Sequence, residues 1–174
     1  MFDKNYQFRG KHGHYVNDMV EKYKIFKRVI DVYILAPIIG FHYDRKGEVD
    51  KSNDYTKTIM VEQLIKEQQL ISFIYKCIKI LLINKLSNEK SLEAVFIADE
   101  KNNENIYYSI FDSYVLGGVE ILYEKLLEYI GDEDEIVDRI YEFIKEFEEF
   151  NEKPIDQEDL FKELNLLINS NKHK

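Results

Sequence analysis

Cationic and imidazole side chains surround two glycines close to the start of the chain, in the segment Arg9-Gly10-Lys11-His12-Gly13-His14. Glycines let backbone amides come close to a phosphate, and the flanking cations would complement its charge. The spacing matches neither the Gly-x-Gly-x-x-Gly dinucleotide fingerprint nor the phosphate-binding loop that ends in Gly-Lys-Ser/Thr. The segment therefore favours contact with a phosphate or a nucleotide, but it identifies neither class of nucleotide-binding domain.

More cations follow in the same part of the chain, with tyrosines among them. Basic and aromatic residues together suit single-stranded nucleic acid, which offers both phosphates and bases that stack. Lys27 and Arg28 also fit the C-terminal end of a helix, where the helix dipole favours positive charge. The candidate binding residues are Arg9, Lys11, His12, His14, Lys24, Lys27, Arg28, His42, Arg45 and Lys46.

Histidine is also a common metal ligand, so His12, His14 and His42 are the candidates for a metal-dependent or nucleotide-dependent enzyme. Metal ligands on a helix lie three or four residues apart, whereas His12 and His14 are two apart. The sequence has no cysteine pair and no His-Glu-x-x-His motif. We therefore expect no metal and no cofactor, and we predict that His12 and His14 are exposed residues before the first helix.

Three other patterns in the sequence give equally weak evidence for catalysis. Asp99-Glu100-Lys101 resembles the end of a nuclease motif, but a preceding acidic ligand is missing. Cys77 falls in an apolar segment, which is typical of an inert core thiol. Two long helices could project carboxylates toward a di-metal centre, but the Glu-x-x-His pattern of such centres is absent. The carboxylates concerned are Glu62, Glu67, Glu120 and Glu124.

Helices are predicted along most of the chain, because apolar residues recur every three or four positions. The segment from Asp31 to Phe41 is apolar on all sides and contains Pro37, so we expect the central core element there, as a helix or, over 32–36, as a buried strand. The polar stretch 44–54 predicts a loop. The other predicted helices cover 14–30, 54–85 and 105–130, with further helices starting near Ser87, Asp132 and Asp156.

The adjacent glycines Gly117 and Gly118 lie inside a predicted helix, where each costs roughly 1 kcal/mol relative to alanine. Close approach of a second helix would offset that cost; a hinge or a ligand contact is the alternative.

With 174 residues, 7 Gly and 2 Pro, the chain suits neither a sandwich nor a barrel. We predict an all-α fold: a single compact bundle of six or seven helices over 1–174, two of them long, with a basic N-terminal segment at 1–13 and a frayed tail at 169–174.

The formal net charge of −9 is divided unevenly. Residues 1–90 carry 16 Lys and Arg against 11 Asp and Glu, whereas residues 91–174 carry 8 against 22. An acidic protein has no overall attraction for phosphate backbones, so a sequence-independent DNA coat is disfavoured. The acidic residues either solvate the outer faces of the last helices or dock on an oppositely charged partner.

The single cysteine and the charged N-terminus predict a cytoplasmic location without internal disulfides. No apolar segment reaches the roughly 20 residues that span a bilayer, so no membrane partner is expected.

Four blocks of sequence carry a resemblance to a known group: Phe8–Tyr15, Asp31–Lys46, Glu62–Gln68 and Tyr114–Lys125. They resemble bacterial proteins that are associated with mobile elements and genome-defence islands, over most of residues 8–130. The resemblance implies a role beside DNA-processing or anti-phage machinery. It implies no activity and no role for any individual residue.

The favoured hypothesis is an accessory or adaptor protein, not an enzyme, that binds a protein partner or a second copy of itself. The predicted surface combines the basic N-terminal third with the loop Tyr43–Lys51, while the acidic helices after Gly131 serve solubility or a second, basic partner. The first alternative is direct nucleic-acid binding through Arg9, Lys11, Lys24, Lys27, Arg28, Arg45 and Lys46. The second is an enzyme centred on His12, His14 and His42.

Overall fold

The computed structural model describes residues 4–86, 101–131 and 134–151, most of which are helical. A π-helix, Asp18–Lys22, continues α1, and two short strands, β1 (Tyr6–Arg9) and β2 (Thr56–Ile59), precede α1 and α3. The mostly helical fold confirms that part of the prediction; the small sheet corrects the expectation of an all-α protein. The α-helices of the described residues are α1 (Lys11–Asn17), α2 (Val29–His42), α3 (Val61–Lys66), α4 (Gln68–Leu86), α5 (Lys101–Leu126) and α6 (Glu135–Asn151).

The chain separates into two compact units, Met1–Glu133 and Asp134–Lys174. The first unit contains the strands and α1 to α5, and the second contains α6. The single domain predicted for 1–174 stays a prediction. Within the described residues, none of the helices has the length and apolar character needed to cross a membrane.

The core of the first unit is built where α2 crosses α5, and glycines make that crossing close. A Cβ atom on Gly40 would overlap the carbonyl oxygen of Tyr114, and one on Gly118 would overlap the carbonyl oxygen of Ala36. The two helices therefore touch backbone to backbone, which offsets the low helix propensity of glycine. This contact confirms the predicted close approach of a second helix at Gly118, whereas Gly117 lies against the backbone of the loop at Arg45 and Gly47.

The central apolar element is the helix α2 rather than a strand, and Pro37 lies inside it in a buried position. Its neighbours along α2 are buried as well, including Val32, Tyr33 and Ala36. The segment is therefore a core element, as the sequence predicts, although Ile34 and Leu35 are half-buried and Ile38 is exposed on its outer side.

The helix predicted over 14–30 ends early. α1 begins at Lys11, the π-helix ends at Lys22, and the following residues up to Arg28 are not helical. Lys24 adopts a left-handed conformation with φ of 52°. The amides of Ile25 and Phe26 turn back to the Met19 carbonyl, so the apolar residues that suggested helical spacing pack through a turn instead.

The helix predicted over 54–85 is wrong at its start, where Thr56–Ile59 forms β2. This strand pairs antiparallel with β1, with Tyr6 opposite Ile59 and Arg9 opposite Thr56. β-branched residues favour a strand, and the pairing buries Ile59 beside the core. The rest of the segment is divided at Glu67 into α3 and α4, at the polar interruption of the apolar stripe.

The later helices agree with the sequence where the structure describes them. α5 covers most of 105–130, and α6 begins three residues after Asp132. Residues 44–54 form no regular element, as predicted. The predicted features at Ser87, Asp99, Pro154 and Asp156, and the tail 169–174, lie outside the described residues.

Candidate functional site

The glycine-rich segment leads into α1, and the anion that it surrounds is a carboxylate of the chain itself, that of Asp50. Gly10 has φ of 57°, and a side chain on it would collide with the Asp50 carboxylate. Asp50 accepts a hydrogen bond of 2.6 Å from the Lys11 backbone amide, and the Ser52 amide and hydroxyl donate to it at 2.9 Å. These hydrogen bonds lower the pKa of Asp50 to about 2. The Lys11 amide of the predicted phosphate cradle is therefore bonded to Asp50.

Three of the predicted binding residues converge on one buried carboxylate, Glu120, in the middle of α5. The Oε1 atom of Glu120 lies 2.9 Å from Lys11 Nζ and 3.0 Å from His12 Nε2. Arg45 donates to Glu120 Oε2 at 3.1 Å and to Glu124 at 3.0 Å. The cluster joins α1, the loop after α2, and α5, and its ion pairs are intramolecular.

Glu120 stays ionised although only 6% of it is exposed. Burial favours the neutral acid, but hydrogen bonds from Lys11 and His12 outweigh burial and lower the pKa of Glu120. Such a carboxylate can accept protons only in acid, so the arrangement stabilises charge rather than transferring protons near neutrality.

His12 is fully buried in α1, which corrects its predicted place on the surface before the first helix. Burial lowers the pKa of His12, against the opposing influence of Glu120, and the imidazole is neutral at pH 7. Nε2 carries the hydrogen that it donates to the carboxylate. Nδ1 is left as a buried acceptor without a hydrogen-bond partner among the described residues.

The other predicted residues are not gathered into one site. Arg28 pairs with Asp31 at 2.6 Å and with Glu67 at 3.0 Å, which holds the start of α2 beside the end of α3. His14, also in α1 rather than before it, stacks on Tyr55 with ring centroids 4.1 Å apart. The remaining residues lie at separate places: Arg9 donates to Gln7, His42 lies edge-on to Tyr43, Lys46 lies over the Tyr114 ring, and Lys24 and Lys27 are exposed.

The histidines do not share a coordination geometry. Within the described ranges, no three histidine, cysteine, aspartate or glutamate residues are placed to hold one metal ion.

The second notable carboxylate of α5, Asp112, accepts a hydrogen bond of 2.6 Å from the Tyr6 hydroxyl, and burial raises the pKa of Asp112. This contact anchors β1 to α5 and was not predicted from the sequence.

A second candidate site, which the sequence reasoning missed, lies on the outer side of α3 and α4. Ile65, Leu70 and Phe73 are exposed by 53%, 46% and 64%, and Leu81 extends the row along α4 with 48% exposed. We call this surface the α4 face. An open groove of about 680 Å³ lies on it, lined by Ile65, Lys66, Gln68, Gln69, Ser72, Phe73 and Lys76.

On the α4 face, the helix α4 itself carries positive charge only, whereas α3 contributes Glu62 and Lys66. Residues 68–86 contain lysines and no acidic residue. Lys66 and Lys76, at the groove, are exposed and form no ion pair with any residue that the structure describes. The signal in the sequence was that apolar residues continue beside the buried side of α4, which Ile71, Ile74 and Ile78 form. An apolar stripe wider than the buried side of its helix leaves apolar residues exposed for a partner.

The second unit presents the opposite combination on α6. Val137, Tyr141 and Ile144 are exposed by 70%, 68% and 52% and lie three or four residues apart, on one side of the helix. Asp138 and Glu142 flank this stripe and are exposed. The helix as a whole contains six acidic residues and two basic ones.

Comparison with protein families gives one match, to DNA sulphur modification system-associated protein 4, over residues 11–165. The chain belongs to this family. The match covers α1 to α6, and it confirms the resemblance to bacterial genome-defence proteins that the sequence blocks carry. Comparison with curated proteins and with solved structures gives no significant match. Membership of the family associates the chain with a DNA sulphur modification system, in an accessory role.

Proposed function

We propose that this chain is a non-enzymatic accessory protein of a DNA sulphur modification system that acts by binding a protein through the α4 face. The observation that carries the proposal is the row of exposed Ile65, Leu70, Phe73 and Leu81, beside Lys66 and Lys76, which form no ion pair within the described part of the chain. Contiguous exposed apolar residues with a polar rim are typical of a protein-binding surface. A protein that serves DNA modification works where the DNA is, so we infer a cytoplasmic location.

The chemistry of the α4 face supports one class of partner. Ile65 and Phe73 are the apolar residues of the groove, and with Leu70 and Leu81 beside it they offer contacts to the apolar side of another helix, which contributes side chains at spacings of three or four residues. Lys66 and Lys76 favour a partner with acidic residues beside that apolar side. They disfavour two other classes of ligand, which are cationic peptides and nucleobases that carry no phosphate. The occupant we propose is therefore an acidic amphipathic helix.

Direct nucleic-acid binding, the first alternative, has weaker support. Lys11 and Arg45 bond to Glu120, and Arg28 bonds to Asp31 and Glu67, so three of its seven cations already have carboxylate partners. The enzyme centred on the histidines also has weak support, because His12 is bonded to Glu120 and His14 is stacked on Tyr55. Both alternatives stay predictions that the experiment below addresses.

The test is affinity capture from the source cells with the full chain as bait, after nuclease treatment, with the captured proteins identified. We expect a protein of the modification system to be retained by the wild-type chain and lost with Phe73→Glu, which places a carboxylate in the groove. Ser109→Glu, at an exposed position on α5, adds the same charge outside the α4 face and should retain the partner. Retention with both variants, or release by nuclease alone, contradicts the proposal.

A further inference from the structure

The acidic amphipathic helix that the α4 face requires occurs in this chain. We propose that α6 of a second copy binds the α4 face, so that the protein self-associates through these two surfaces. The inference rests on the proposed function, because it names the partner of the same face. It assigns a role to the acidic residues after Gly131, which the Glu120 cluster does not use.

The apolar parts of the two surfaces are complementary in form. The α4 face presents Leu70, Phe73 and Leu81 along one side of a helix, and α6 presents Val137, Tyr141 and Ile144 along one side. The residues of the α4 stripe are three and eight positions apart, and those of the α6 stripe are four and three apart, so each stripe stays on one side of its helix, as in helices that pack with side chains interleaved. Both stripes contain one large aromatic residue, the class that dominates interface energetics.

The charges of the two surfaces are also complementary. The α4 face has Lys66 and Lys76 without an ion-pair partner in the described part of the chain, and α6 has exposed Asp138 and Glu142 beside its stripe. Two copies of the α4 face would repel each other, as would two copies of α6. Contact between the unlike surfaces of two copies is therefore favoured over contact between like surfaces.

Reciprocal contact adds to the area. A single helix-on-helix contact falls short of the ~1,200–2,000 Å² that a stable interface buries. Each copy has one α4 face and one α6, so a molecule can give one surface and receive the other, and every further contact of this kind adds to the buried area.

The first experiment measures the mass of the full chain in solution by analytical ultracentrifugation across micromolar to sub-millimolar concentrations. We expect concentration-dependent self-association that Phe73→Glu weakens by about thirtyfold or more, as does Ile144→Lys, since each places a charge within one apolar stripe. Ser109→Glu and Ser109→Lys carry the same charges outside both surfaces and should associate as the wild type does. A wild-type chain that stays monomeric, or a Phe73→Glu chain that still associates, overturns the proposal.

The second experiment mixes the two defective variants. Phe73→Glu keeps an intact α6, and Ile144→Lys keeps an intact α4 face. Their mixture at sub-millimolar concentration should therefore form a one-to-one complex through a single contact, weaker than the wild-type association but stronger than the self-association of either variant. The complex should weaken when Lys76→Glu is added to the Ile144→Lys chain and recover when Glu142→Lys is added to the Phe73→Glu chain. A mixture that contains monomers only overturns the pairing of unlike surfaces.

The outcomes separate this inference from the proposed function. A monomeric wild-type chain whose captured partner is still lost with Phe73→Glu rejects the second copy and supports another protein as the occupant. A self-associating chain that captures no other protein supports the second copy and rejects the heterologous partner. Circular dichroism of every variant shows that the fold is kept, since all the substituted side chains are exposed.

Discussion

Glu120 binds three of the residues that suggest a binding site in the sequence. Lys11 and His12 approach it from α1, and Arg45 approaches it from a different loop. The sequence shows the cations together near the N-terminus, but their carboxylate partner is 108 residues from His12. A reading of local spacing cannot find a partner at that distance, which is why His12 was predicted to be exposed.

Glu120→Gln should lower the stability of the fold. The amide keeps the shape but leaves Lys11 and Arg45 without a buried negative charge, and we expect a loss of about 1–3 kcal/mol in the free energy of unfolding. Urea denaturation measures it. Glu124→Gln is the matched control: that side chain is 41% exposed and shares only Arg45, so we expect a loss below about 1 kcal/mol. Equal losses for the two variants would contradict the role of burial.

Asp50→Asn should make the stability of the fold less dependent on acid. The pKa of Asp50 is about 2 in the folded chain, below its ordinary value of 3.8. The carboxylate therefore stabilises the fold above its ordinary pKa, and this contribution is lost as the pH falls through 3.8 toward 2. Melting temperatures measured against pH should show wild type above Asp50→Asn near neutrality and the two converging in strong acid. Parallel curves down to the lowest pH would contradict this prediction.

At the level of elements, the sequence predicts what local periodicity controls. α2 and most of α5 follow the spacing of their apolar residues, and the Gly117-Gly118 pair correctly indicates close helix packing. The β1–β2 sheet was missed because each strand has only four residues. So short a run shows no reliable alternation, and its stability comes from pairing across 50 residues of chain.

Gly118→Ala should destabilise the crossing of α2 and α5. Helix propensity alone predicts a gain of about 1 kcal/mol, but the added methyl group would overlap the Ala36 carbonyl and force the helices apart. We expect a net loss of about 2 kcal/mol in the free energy of unfolding. Ser109→Ala, on the exposed side of the same helix, should stay within about 0.5 kcal/mol of wild type. A more stable Gly118→Ala chain would show that the helices do not meet there.

At the level of the whole molecule, the sequence indicates the family and the division of charge, but not the site. Neither surface of the proposed interface has a sequence motif; each becomes visible only when the buried side of its helix is known. Exposure of Phe73 and Ile144 depends on which side of α4 and α6 packs inward, and that depends on contacts made elsewhere in the chain.

The charge distribution predicts how salt acts on binding. Association through Lys76 and Glu142 should weaken modestly as salt rises, because the apolar stripes still contribute at high ionic strength. Binding to single-stranded DNA, measured by fluorescence anisotropy, should be undetectable at physiological salt, because the net charge of −9 opposes it. Tight DNA binding with a steep salt dependence, abolished by Lys24→Glu with Lys27→Glu, would instead support the nucleic-acid alternative.

The cluster around Glu120 also has a consequence for synthesis on the ribosome. α1 emerges well before α5, and the carboxylate that anchors it is translated more than 100 residues later. Until α5 leaves the exit tunnel, Val16 and Met19 of the nascent chain have no completed core to enter. We expect the first unit to become resistant to protease in one late step, once Glu120 has emerged, rather than helix by helix. Protease digestion of stalled nascent chains of increasing length measures that step.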